Sequence, residues 1–306
     1  MVVKTAPKRL GYLRRNEAIG FYVTISPWLL GFVAFVIGPI IVSFYLSFTD
    51  YSVIRRTQFV GLLNYKEIFT GSPLFWQSLK VTTLYTAASV PLHLVVALIV
   101  AMLLNMDIKG VALFRTIYYM PTVIAGVAVA MLWQWIFNPR FGLVNYLLSL
   151  VGIKGPQWLG SEVWALPAII IMSSWGVGGS MLIFLAALQG IPTQLYEAAE
   201  IDGANPWHKF WRVTLPLITP VIFFNVVMGV INSFQVFTNA YIITNGGPNN
   251  ATLFYVLNLY RQAFQFFHMG SASALAWILF AIILICTLLI FRSSAAWVYY
   301  ESEVKE

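Results

Sequence analysis

Apolar residues in this chain gather into long blocks; they neither alternate along strands nor recur as a narrow helical stripe. Six blocks stand out, at 21–47, 78–104, 111–137, 164–188, 215–243 and 272–291. Each supplies about the 20 predominantly apolar residues that an α-helix needs to cross the hydrocarbon core of a bilayer. The pattern predicts an all-α, polytopic membrane protein with six transmembrane helices. A basic stretch (Lys4, Lys8, Arg9, Arg14, Arg15) precedes the first block, as in a secretory signal. That block is longer than the roughly 7–15 residues of a signal core and no small-x-small site follows it closely, so it is expected to remain as a helix.

Composition narrows the class further. Only 9% of the 306 residues are charged and 59% are hydrophobic, against about 25% charged in a soluble domain. An ordinary globular enzyme is excluded. The single cysteine, Cys286, lies inside the sixth block, so no intramolecular disulfide can form. The net charge of +7 is read as an orientation signal before any nucleic-acid footprint, and no nucleic-acid partner is expected. On the side of the N-terminal tail lie 11 of the 18 Lys and Arg, the later ones being Lys109, Arg115, Lys209, Arg212, Arg292 and Lys305. The other side carries Arg55, Arg56, Lys66, Lys80, Arg140, Lys154 and Arg261. This asymmetry places both termini in the cytoplasm. The external loops, 48–77, 138–163 and 244–271, hold turn signals such as Asn138-Pro139 and Gly246-Gly247-Pro248 beside short amphipathic stretches. They suit either a docking surface or interfacial caps over a helix bundle.

The segment between the fourth and fifth blocks reads as a helical hairpin at 192–212. Thr193 is placed to cap a first helix, Glu197 and Glu200 lie early in it, and Gly203 is placed to end it in the left-handed conformation. Asn205 then caps a second helix that has Pro206 in its first turn. Ala198 and Ala199 leave room for another protein to approach the backbone, and Glu197, Glu200 and Asp202 offer polar anchors. The competing reading is an amphipathic hairpin lying on membrane lipid through Trp207, Phe210 and Trp211.

Here a resemblance becomes specific. Glu197-Ala198-Ala199, then Gly203, Val213 and Leu215-Pro216, resembles the EAA signature of permease subunits of bacterial ATP-binding-cassette importers, with Val213 where the family usually has Ile. Gly61-Leu62-Leu63-Asn64-Tyr65, Trp135-Ile136-Phe137-Asn138-Pro139, Gly142-Leu143-Val144-Asn145, Ala186 to Pro192, Asp202-Gly203-Ala204 and Thr244-Asn245-Gly246-Gly247-Pro248 are similar to the MalF-like class of carbohydrate permeases. The resemblance implies a type I importer architecture in a bacterial cytoplasmic membrane. It implies a basic N-terminal segment at 1–20, a six-helix permease domain at 21–296 and a C-terminal tail at 297–306. It also implies a second homologous permease subunit, two cytoplasmic ABC ATPases that bind ATP and Mg, and an extracytoplasmic sugar-binding protein. Glu197, Ala198, Ala199, Glu200, Asp202 and Gly203 would form the coupling helix that docks on the ATPase.

The blocks themselves hold little chemistry. Ion-driven transporters usually carry charged groups at membrane depth, whereas here only Arg115 and Lys80 lie near block ends, where they can snorkel. No phosphate-binding G-x-x-x-x-G-K-[ST] loop occurs, so the chain is expected to be no enzyme and to hold no cofactor, with nucleotide bound by a partner. His93, His208 and His268 fall on separate segments, which argues against a metal site. Asn232, Gln235 and Asn239 are spaced for one helix face, and uncharged amides suit sugar hydroxyls because each donates and accepts. The same residues could be interhelical glue. Ser173 to Ser180 can open the fourth helix locally, leaving Trp175 to stack on a sugar ring. Thr82, Thr86, Ser89 and His93 share a face of the second helix, with Pro91 as a kink point and His93 read as a packing residue. The expected function is translocation of a sugar, by preference a neutral oligosaccharide. The alternative is a nucleotide-independent facilitator or channel for a small polar solute.

Overall fold

The structure, a computed structural model, describes residues 8–52, 57–107 and 109–299, with side chains from residue 14 onward. Lys4, Arg55, Arg56 and Lys305 of the orientation argument lie outside the described residues, as do 1–7 of the N-terminal segment and 300–306 of the tail. Helix α1 (Lys8–Phe32) passes through a π-helical turn, Val33–Ile37, into α2 (Gly38–Leu46). There follow α3 (Leu63–Gly71), α4 (Pro73–Leu104), α5 (Val111–Val123), α6 (Gly126–Ile136), α7 (Leu143–Leu150), α8 (Ala165–Ser173) and α9 (Gly178–Gln189). The chain continues through α10 (Thr193–Ile201), α11 (Pro206–Lys209), α12 (Leu215–Phe234), α13 (Tyr255–Tyr260) and α14 (Met269–Ser294). Among the described residues there is no strand, only the isolated bridges Thr49–Phe59 and Ser52–His268.

Three helices are long and apolar enough to cross a membrane unaided: Arg14–Leu46, Pro73–Leu104 and Met269–Ser294. The other three expected spans are each broken. Val111–Val123 and Gly126–Ile136 meet at 102°, Ala165–Gly176 and Gly178–Gln189 at 48°, and Pro206–Leu217 and Thr219–Phe234 at 64°. Counting each bent pair as one span gives six, of which half are bent.

Two of these bends have a local chemical cause and a local repair. In α12, Pro220 lacks the N–H that would bond the carbonyl of Pro216. The Thr219 hydroxyl donates to that carbonyl instead, at 2.6 Å. At the end of α8, the hydroxyls of Ser173 and Ser174 donate to the carbonyls of Ile170 (2.6 Å) and Ile171 (2.7 Å), the back-bonding that lets serine loosen a helix. The fifth expected span departs most from the pattern. The apolar run predicts one helix to residue 243, but α12 stops at Phe234 and Gln235 occupies its C-cap. Helix resumes at Thr238 and passes into the π-helical turn Ala240–Thr244. The side-chain amide of Gln134 on α6 donates to the carbonyls of Ile242 (2.7 Å) and Ile243 (2.9 Å), which the irregular turn leaves free. Irregular backbone at membrane depth survives where protein groups or a cavity serve its polar atoms.

The unbroken α4 is the member around which these pieces pack. Despite Pro91 it runs from Pro73 to Leu104 without interruption, and the Arg115 guanidinium donates to the Leu104 carbonyl at its end (3.3 Å). Towards that end, Ala97 and Ala101 are fully buried beside Met181 and Phe184 of α9 and Ile218 of α12, small residues of the kind that let membrane helices close on one another. Towards the other end its polar stripe holds the segment after the Gly246-Gly247-Pro248 turn. The Thr82 hydroxyl accepts from the Tyr255 N–H (2.8 Å), the Ser78 hydroxyl from the Asn258 amide (3.4 Å), and the Gln77 amide donates to the Asn250 carbonyl (3.1 Å). The Tyr255 phenol, whose pKa burial pushes up, donates to the Leu275 carbonyl of α14 at 2.9 Å. Helix α5 crosses the α8–α9 break against Gly178, where an added Cβ would lie 2.8 Å from the carbonyl oxygen of Tyr118 and from the Cα of Tyr119.

Two neighbouring glycines should therefore respond differently to the same methyl. Gly178→Ala forces backbone apart and is expected to cost about 1–3 kcal/mol. Gly179→Ala meets nothing within 4 Å and should be neutral or slightly stabilising. Thermal unfolding of the two detergent-solubilised variants, followed by size-exclusion chromatography, checks the contrast; equal midpoints would refute the close approach.

Candidate functional site

Between the broken elements lies a cavity of about 300 Å³, at the small end of the range for ligand sites. Helix α4 contributes Tyr85, Ser89 and His93; the α8–α9 break contributes Ser173 and Ser180; α12 contributes Asn225, Asn232 and Ser233, and the chain beyond it Asn239. Val90, Leu94, Met228, Gly229 and Val236 complete the wall, so no Lys, Arg, Asp or Glu lines the cavity. The polar lining is hydroxyl, amide and imidazole, set on an apolar frame. Gly229 lets α12 come close to α4: a Cβ there would sit 3.1 Å from a Val90 methyl.

The predicted ligand-facing residues divide. Asn232 and Asn239 line the cavity. Gln235 does not, because α12 ends one residue before it and the expected common face is never formed. Trp175 does not either. The helix opens at Ser174–Gly176 as the glycines and serines permit, but the indole turns to the Trp133 ring, 6.1 Å away and edge-on at 77°. It joins an aromatic cluster with Phe137 and Trp158. Within the α4 stripe, Thr82 and Thr86 are glue, Thr86 accepting from Ser233 at 3.0 Å, while Ser89 and His93 face the cavity. Tyr85 and Asn225 line it too and escaped the sequence reading. A signal for both was present: Tyr85 lies four residues before Ser89, and Asn225 seven before Asn232, each on the same helix face.

Two of the cavity walls lead directly into the hairpin. Helix α9 runs from Ser180 to Gln189 and on into α10, while α11 passes through a π-helical turn, Phe210–Thr214, into α12. Helix α10 begins with Pro192 in the cap position and Thr193 already helical, with no side-chain cap; Thr193 is therefore not the cap that the spacing suggests. Its end follows expectation closely. Gly203 is left-handed (φ +78°), the Ala204 N–H donates to the Ala199 carbonyl (2.8 Å) and the Gly203 N–H to that of Glu200 (2.9 Å), the Schellman pattern. Asn205 accepts from the His208 N–H at 2.9 Å, capping α11 behind Pro206. An ion pair between Lys209 and Glu200 closes the two arms, and the Tyr196 hydroxyl meets that of Thr214 at 2.9 Å. Glu197, Ala198, Glu200, Asp202 and Gly203 are exposed and Ala199 is half-buried. Ile201 (87% exposed) and Trp207 (67%) project bare apolar surface.

Residues 93–299 match the family of binding-protein-dependent transport system inner membrane components. This chain belongs to that family. It is an inner membrane component, the permease subunit of an ABC transporter. Over 97% of both chains it is 46% identical to the "Probable ABC transporter permease protein YesP" of Bacillus subtilis. It is 34% identical to the trehalose/maltose transport system permease protein MalF of Thermococcus litoralis, over 90% of this chain and 94% of that one. The fold matches that of a chain from a bacterial ABC transporter involved in the import of the acidic polysaccharide alginate, with a TM-score of 0.81, 24% identity, and 94% and 99% of the two chains covered. The all-α importer architecture is thereby established for this inner membrane component.

Water access separates the cavity residues from the glue. In a Cys286→Ser background, a hydrophilic maleimide is expected to label Asn232→Cys and Asn239→Cys in the intact membrane complex. Thr82→Cys, which replaces a fully buried residue, should stay unlabelled. Mass spectrometry reads the result, and a labelled Thr82→Cys with an unlabelled Asn232→Cys would invert the assignment.

Proposed function

We propose that this permease carries a neutral oligosaccharide inward across the bacterial cytoplasmic membrane, with both termini cytoplasmic. The observation that carries the reading is a cavity lined by uncharged donors and acceptors and joined through two of its walls to one projecting hairpin. Amides and hydroxyls that both donate and accept match sugar hydroxyls, whereas an acidic sugar would call for cations on the path. The names of the relatives, trehalose and maltose among them, support the same class of substrate.

The family description supports an extracytoplasmic binding protein as the donor of substrate. A second permease subunit completes the pathway on the open side of the cavity, and two ATPases supply the energy. Glu197, Ala198, Ala199, Glu200, Asp202 and Gly203 form the face that an ATPase grips, with Ile201 and Trp207 burying apolar area against it. ATP-driven closure moves the hairpin, and α9 and α12 carry that movement into the cavity walls. ATP thus biases a two-state equilibrium between outward-facing and inward-facing arrangements, acting only through its different affinities for the two.

The test is reconstitution of the permease with its co-purifying subunits in liposomes. A panel of neutral and acidic oligosaccharides, offered with the binding protein, is scored by stimulated ATP hydrolysis and by uptake. Neutral sugars should stimulate and acidic ones should not. Asn232→Leu should lower maximal uptake about tenfold, as expected for the loss of one or two hydrogen bonds to substrate. Gly203→Pro, or Ala199→Trp, should abolish uptake while leaving insertion intact; unchanged uptake in both would refute the coupling role. Uptake by the permease alone, without ATP, would favour the facilitator reading.

A further inference from the structure

We infer that His93 is a positioning residue that pins the break in the fourth span, setting both its bend and the presentation of the Ser180 hydroxyl to the cavity. The inference rests on the reading of this cavity as the translocation path. Helix α8 ends at Ser173 and α9 starts at Gly178, so Ser173 and Ser180 stand on opposite sides of the 48° bend. The imidazole of His93, on the unbroken α4, touches both. Its Nδ1 lies 3.4 Å from the Ser173 carbonyl oxygen and its Nε2 lies 3.2 Å from the Ser180 hydroxyl. One rigid ring thus bridges the two half-helices.

The inventory of donors fixes what each atom does. A carbonyl only accepts, so Nδ1 carries the proton in the neutral ring. Nε2 is then an acceptor, and the Ser180 hydroxyl must donate to it. With its one donor and one acceptor both engaged, the ring has nothing left for a substrate. Ser180 does: having given its proton to Nε2, its oxygen keeps lone pairs for a sugar hydroxyl, and it lines the cavity. His93 therefore acts through Ser180 and through the bend. On the far side of the break, Gly178 is held against the backbone of α5. The break is gripped from two sides, and the side that faces the cavity is held by hydrogen bonds that can break and re-form.

The test uses the full chain in complex with its co-purified subunits. Spin labels are placed at Ile171→Cys on α8 and Ile183→Cys on α9, both exposed sites (43% and 39%), in a Cys286→Ser background. Pulsed electron resonance then reads the distance across the bend without substrate or nucleotide. The unaltered His93 should give one narrow distribution. His93→Leu should give a broadened, shifted one, and His93→Gln, which supplies one donor and one acceptor, should restore the narrow distribution. Ser180→Ala added to His93→Leu should change nothing further, because the bond is already lost. A His93→Leu distribution identical to that of the parent overturns the inference. So does a His93→Gln distribution as broad as that of His93→Leu, which would mark ring packing as the cause. Because no sugar or ATP turnover enters this measurement, it decides the pin separately from the uptake assay that decides the importer reading.

Discussion

A backbone carbonyl or N–H freed inside a bilayer has no water to turn to, and each costs several kcal/mol if left unpaired. That constraint governs where this permease can be irregular. Several breaks in its spans lie beside a side chain able to take over: Thr219 for the carbonyl of Pro216, Ser173 and Ser174 for those of the preceding turn, Gln134 for those of Ile242 and Ile243. The breaks are what make a cavity possible. Straight helices packed at native distances leave no room for a ligand, whereas the α8–α9 bend and the early end of α12 open about 300 Å³ beside an unbroken α4. Polar residues that look scattered along the sequence are thus of two kinds, those that repair the backbone and those that face the space so made.

Helix α4 shows both kinds on one face. Ser78, Thr82 and Thr86 bond to neighbouring segments; further along, Ser89 and His93 face the cavity. Interhelical hydrogen bonds in membranes average about 0.6 kcal/mol each, so no one of them locks the bundle. A few together fix the register of α13 and its preceding turn against α4. A transporter must exchange two arrangements of similar free energy, and many weak polar contacts on one rigid helix suit that better than a single strong one. The apolar packing of Ala97, Ala101, Met181 and Phe184 near the hairpin end is of a different character, continuous and dry.

The spans and the hairpin were legible because their signals are dense: blocks of 20 or more apolar residues, and a Gly203-Asn205-Pro206 punctuation that means the same thing in any context. Trp175 and Gln235 were not legible, for two different reasons. Opening of the fourth span is visible in its glycines and serines, but the side to which the indole then turns depends on Trp133, far away in sequence. The end of α12 has no local mark at all. Val236 and Phe237 continue the apolar run, and no glycine follows until Gly246, so helical spacing alone runs on across residues 235–237, whereas Phe234 and Ala240 on either side of the break pack into two different apolar clusters. The same periodicity, followed backward from Asn232, leads to Asn225 on the intact part of the helix, and there it holds.

The hairpin has the attributes of a mechanical part. Its bend is fixed by the Schellman bonds at Gly203, its arms are tied by Lys209 and Glu200, and the Tyr196–Thr214 contact joins α10 to the start of α12. An exposed ion pair contributes at most about 1 kcal/mol to stability, so its part is to keep two arms from splaying more than to hold the fold. A stiff hairpin passes a displacement to whatever it is joined to. Here it is joined to α9, which begins at the His93-held break, and to α12, which bends at the turn stitched by Thr219. A push on the hairpin therefore reaches two places in the bundle where side-chain hydroxyls already serve the backbone; the first borders the cavity through Ser173 and Ser180, and the second lies in the helix that supplies Asn225, Asn232 and Ser233 to its wall.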